Sequence, residues 1–180
     1  ISPAAGFRVV FSHISTVIIN SLLFGVFLGL LLITLLLGSF FRSIPFGVLS
    51  AFPNVLPIAS AFGIWALYDG QVGFMVAAGM GSTLGIIVDF TVHLLSKYDL
   101  ARREMSQSPE EAVVFAFESV GFALIVMTIV ISLGFLVLNL VNFIPLHDFA
   151  RFSTISFVMA LIIDFLLFPN LLVKFDKRQF

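Results

Sequence analysis

The sequence predicts an all-α membrane protein, a bundle of five transmembrane helices. Three observations carry that reading. Hydrophobic residues make up 60% of the 180-residue chain and charged residues only 11%, against roughly 25% charged residues in a soluble domain. Mean hydropathy is +1.17. Five apolar stretches, about 17–41, 44–68, 72–95, 112–141 and 149–175, each reach the ~20 residues that a helix needs to cross a bilayer. So few charges cannot coat a soluble core of this size. A net charge of −1 leaves no electrostatic footprint for nucleic acid, and the absence of cysteine makes redox compartment uninformative.

Residues 1–16 read as a lead-in, with Pro3 and Gly6 as breaks. The first span is uncharged and contains Gly25 and Gly29, a GxxxG pair that permits close helix approach. A tight turn at Arg42-Ser43 leads to the second span. Pro45 suits that span's first turn, whereas Pro53 and Pro57 fall inside it and free carbonyls for Asn54, Ser60 or neighbouring helices to satisfy. Trp65 and Tyr68 at its far end suit an aromatic belt. Asp69-Gly70-Gln71 forms the next turn.

The third span carries the most informative pattern. Read by fours, as neighbours on one helix face, it gives Ala77, Gly81, Gly85, Asp89, His93 and Lys97. After it, Ser108-Pro109-Glu110-Glu111 is a helix start: a capping serine, a proline at the first helical position and a glutamate completing a capping box. The fourth span aligns Gly121, Thr128, Ser132 and Asn139 on one face. A loop at 142–148 containing Pro145 precedes the fifth span, which bears Asp164 and is interrupted near its end by Pro169. Residues 176–180 are a short tail. Lysine and arginine placement orients the bundle: Arg42, Lys97, Arg102, Arg103, Lys174, Lys177 and Arg178 fall on one side, Arg8 and Arg151 on the other. The start is expected outside the cell and the end in the cytoplasm.

Asp89 is the candidate for chemistry. An ionised aspartate at mid-bilayer costs roughly 2.5–3.5 kcal/mol on insertion scales, so such residues face a bundle interior, pair or change charge. That makes Asp89 a proton-relay candidate, or else a packing residue satisfied by hydroxyls. His93, one turn away, either shares a proton with Asp89 or is solvated near the interface. Gly81 and Gly85 read as small residues that bring a neighbour close to Asp89. Thr128 and Ser132 either hydrogen-bond Asp89 or bond back to their own helix. Asp164 either joins a relay or caps local polarity. Two ligating residues make no metal site. The chain also lacks GxSxG, HExxH and a phosphate-binding glycine loop, so no enzyme and no cofactor is expected. An initiator methionine and a charged leader are likewise missing at the start, which points to a piece of a longer polypeptide.

Taken in order, several segments resemble the RND superfamily, in the branch of MMPL-type exporters and sterol-sensing-domain proteins. They are Phe41-Arg42-Ser43 through Pro53-Asn54-Val55-Leu56-Pro57, the GxxxD segment Gly85 to Asp89 with His93, Ala112 to Phe135, and Phe168-Pro169-Asn170-Leu171-Leu172. The resemblance implies one transmembrane half of an RND-type transporter, the C-terminal one, in a bacterial inner membrane. The lead-in would then exit an extracytoplasmic domain. It implies proton-driven export of hydrophobic or lipid-like substrates, with Asp89 coupling to protons, His93 beside it, and Gly81, Gly85, Thr128, Ser132 and Asp164 supporting. Phe90 stands where many relatives carry Tyr or Asp. The implied partners are membrane lipids, protons, the substrate, the other transmembrane half, the extracytoplasmic domains and further copies of the chain. The alternative is a sterol-sensing-type lipid sensor or scaffold without transport.

Overall fold

A computed structural model describes residues 3–41, 44–68 and 71–176. The order is α1 (Pro3–Phe40), α2 (Ile44–Tyr68), α3 (Phe74–Arg103), α4 (Pro109–Val137), a single 3-10 turn (Leu138–Leu140), α5 (Ile144–Leu166) and the short α6 (Phe168–Phe175). Among the described residues, five helical segments are long and apolar enough to cross a membrane, the last formed by α5 and α6 together. The all-α five-span class is therefore what the chain adopts. α3 is central and touches α1, α2, α4 and α5, while among the described residues α1 touches only α2 and α3 and lies at the edge.

The surface inverts the pattern of a soluble protein. Large apolar side chains such as Phe24, Leu67 and Phe122 stand outward, whereas Ala61, Ala77, Ala101, Ala112, Ala150 and Ala160 are fully buried. Lipid is as apolar as leucine, so little hydrophobic drive brings the helices together. Small residues let backbones approach and gain van der Waals contact instead. Gly79 shows this: a Cβ there would lie 3.3 Å from both Phe152 and the Ser153 hydroxyl on α5. The GxxxG pair does less than its spacing suggests, since Gly29 faces Leu84 but a Cβ on Gly25 would meet nothing within 4 Å.

Several boundaries differ from the sequence reading for local reasons. Helix α1 runs on from Pro3 through Gly6; proline is tolerated in a first helical turn, where its missing N–H has no partner to lose. Pro145 likewise opens α5 instead of sitting in a loop. α3 continues past its apolar stretch to Arg103. The capping box forms as expected: Glu111 N–H donates to Ser108 Oγ at 3.3 Å and Ser108 N–H to Glu111 Oε2 at 2.9 Å. Pro53 and Pro57 lie within a continuous α2. Asn54 Nδ2 donates to Ser50 O at 2.7 Å, a carbonyl neighbouring the one that Pro53 frees. Trp65 is a core residue, not a belt residue: it is 1% exposed and its Nε1–H donates to Gln71 O at 2.8 Å. The turn at Arg42-Ser43, the start of the turn at Asp69-Gly70 and residues 177–180 of the tail lie outside the described residues.

Candidate functional site: an aspartate–histidine pair on the open face of α3

A helix turns once per 3.6 residues, so each step of four overshoots by about 40° and five steps accumulate about 200°. The stripe from Ala77 to Lys97 consequently winds around α3. Ala77 is buried, Gly81 is half-buried against Val26, and Gly85, Asp89 and His93 are exposed. Asp89 Oδ1 and His93 Nε2 stand 3.4 Å apart, their side chains 49% and 54% exposed. Ser82 and Ser96 extend the same outward polar face. Phe90 points the other way, into the core with Ile87 and Leu124.

This geometry corrects two expectations. Gly85 brings no neighbour close to Asp89, because a Cβ there would meet nothing within 4 Å. Thr128 and Ser132 do not hold Asp89 either. Thr128 Oγ1 donates to Leu124 O on its own helix at 2.8 Å, and the buried Ser132 hydroxyl has no partner among the described residues. Both face the bundle interior, whereas Asp89 faces out of it.

Asp164 is the opposite case. It is fully buried on α5, and neither carboxylate oxygen has a hydrogen-bond partner among the described residues. Its depth follows from the helix register. Arg102 meets Asp176 across a separation of 74 residues, and the contact of Gly79 with Ser153 has the same offset. α3 and α5 therefore run parallel in a register that sets Asp164 level with Phe90, next to Asp89 in sequence. Two carboxylates thus lie at one depth, one on the open face of α3 and one enclosed on the other side. Thr91 Oγ1 donates to Asn54 Oδ1 at 3.1 Å near this level and ties α2 to α3. Asp164 caps no polarity there. A buried polar group without a partner costs about 1–3 kcal/mol, so Asp164→Val is expected to raise stability by about that amount. Thermal unfolding in detergent checks it, and a lowered midpoint would show that the carboxyl is satisfied after all.

A third polar cluster was not legible beforehand. Asp176 Oδ2 accepts from Tyr98 Oη at 2.7 Å and from Arg102 Nε at 2.9 Å, and the pair is almost fully buried. Arg102 also donates to Gln107 O, and Arg103 to Phe41 O at the end of α1. The i,i+4 spacing of Tyr98 and Arg102 was a signal, but nothing local joins them to a residue 78 and 74 positions on. Among the described residues, no three His, Asp or Glu side chains gather as a metal site would require.

No family model matches the chain. It is similar to a Methanocaldococcus jannaschii protein named "Putative membrane protein MJ1562", with 26% identity over 151 residues. The match covers 83% of this chain and 38% of that relative, so the chain spans about two fifths of the relative's length. Five apolar helices and a relative named as a membrane protein agree on a multi-pass membrane protein.

Proposed function

We propose that this chain is the transmembrane half of a proton-driven exporter of hydrophobic or lipid-like molecules, of the RND/MMPL type, with Asp89 as the proton carrier. The observation that carries the reading is the Asp89–His93 pair, exposed partway along a membrane span. Lipid cannot cover such a pair cheaply: charge at that depth costs roughly 2.5–3.5 kcal/mol. A protein surface or a water-filled path must meet this face, and a second transmembrane half supplies one. The length of the relative beyond the matched region leaves room for that half.

In this reading, the carboxylate of Asp89 sits against the His93 imidazole while the face is wet. A proton on Asp89 removes the charge and lets the face close against a drier surface. The spans joined to α3 move with it, since α3 touches four of the other helices. Moving one charge through the membrane field is worth roughly 2.3 kcal/mol per 100 mV, enough to bias two packings that differ by a few kcal/mol. The reading sets the Arg102–Asp176 end in the cytoplasm, supported by Lys97, Arg102, Arg103 and Lys174 lying towards that end and Arg151 at the other.

The test is Asp89→Asn in the full-length protein, reconstituted in liposomes with an internal pH dye. The variant is expected to lose proton flux while keeping the wild-type unfolding midpoint. Wild-type flux in the variant would overturn the proposal. Lipid binding without proton flux in either protein would point to the sensor alternative.

A further inference from the structure

We propose that the groove between α2 and α4, floored by α5, binds the headgroup of an anionic phospholipid on Arg151. The site is separate from Asp89 and needs no proton transport. Helices α2 and α4 do not touch among the described residues. The gap is a cavity of about 270 Å³ lined by Trp65, Tyr68, Leu136, Arg151, Thr154 and Ile155. It lies at the end of the bundle opposite Asp176.

Its walls are set before any ligand arrives. The Trp65 ring is held by its bond to Gln71 O and by an edge contact with Phe152, centroids 6.1 Å apart. The lining is otherwise apolar, with one full positive charge at the rim. Arg151 Nε donates to Asn139 Oδ1 at 3.1 Å and Nη1 lies 3.4 Å from Tyr68 Oη. Both partners are neutral, so they orient the guanidinium without cancelling its charge. Asp148, three residues earlier, forms no ion pair with it among the described residues. A guanidinium with no carboxylate partner among the described residues, beside apolar walls, suits a phosphate that arrives with acyl chains attached, and its planar fork matches two phosphate oxygens.

One further feature favours a lipid over a free anion. Exposed Leu133 and Val137 flank the lining position Leu136 on α4 and leave apolar surface beside the cavity for acyl chains.

Trp65 is the chain's single tryptophan, so the site reports on itself. The 180-residue chain is placed in nanodiscs of phosphatidylcholine containing brominated phosphatidylglycerol or, at equal mole fraction, brominated phosphatidylcholine, and tryptophan quenching is read. The expected result is excess quenching by the anionic lipid, corresponding to a preference of about tenfold, as a charge-assisted contact provides. Arg151→Gln should remove the excess and leave quenching by brominated phosphatidylcholine unchanged, which also shows that the variant is folded. Arg151→Lys should keep part of it. Equal quenching by the two lipids, or an excess that survives Arg151→Gln, would overturn the proposal. Loss of the excess on adding millimolar glycerol phosphate would assign the site to a soluble anion and overturn it too.

Discussion

Asp176→Ala is expected to destabilise the protein by about 3–5 kcal/mol, the usual cost of removing one partner of a buried ion pair. The Asp176 carboxylate takes the Tyr98 hydroxyl and the Arg102 guanidinium on the same oxygen, at 2.7 and 2.9 Å. The Arg102 side chain is 6% exposed and that of Asp176 is fully buried. Truncation leaves the guanidinium in a desolvated place without its carboxylate, while its bond to the Gln107 carbonyl remains. Asp176→Asn should cost less, because the amide oxygen still accepts from Tyr98. Adding Arg102→Met to Asp176→Ala should recover much of the loss, since the orphaned charge is then gone. Unfolding midpoints of the three variants in detergent provide the check. Additive losses in the double variant would mean that the two side chains act independently. The effect on architecture should be specific, because this network joins α6 to the end of α3.

Gly47→Ala is expected to destabilise by about 1–3 kcal/mol or more, as overpacking does. A Cβ at this position would lie 2.7 Å from the Gly38 Cα, 2.8 Å from Thr34 O and 2.9 Å from Gly38 N. All three are backbone atoms of α1, so no side-chain rotation relieves the contact and the two helices must separate. Gly25→Ala is the control. A Cβ there meets nothing within 4 Å, and alanine is better than glycine in a helix by about 1 kcal/mol. Equal behaviour of the two variants would show that α1 and α2 do not cross at Gly38 and Gly47.

These glycines also mark how far the sequence could be read. The Gly25/Gly29 spacing stands out as a motif, yet the crossing is made by Gly38 and Gly47, which share no motif. Close approach depends on which faces meet, and spacing within one helix carries only half of that information. The capping box at Ser108 was legible because all its atoms lie within four residues. The Asp176 network was not, because its partners come from distant positions. Trp65 and Tyr68 look alike as belt residues, but one is buried under the following loop and the other is exposed.

The candidate site divides in the same way. Asp89 and His93 form the pair that their four-residue spacing allows. Their outward direction, and the enclosure of Asp164 at the same depth, follow from how α3 is surrounded. By itself the sequence determined that the chain is helical, that five stretches suit a membrane and where several helices start, because hydropathy, length and caps are local properties. Which faces are covered was decided only by the tertiary structure. Helices that are apolar on every side have no stripe to orient them, and lipid and protein interior are nearly equivalent surroundings for a leucine. Small residues and backbone approach choose the packing. That choice sends one carboxylate to the open face and leaves the other inside.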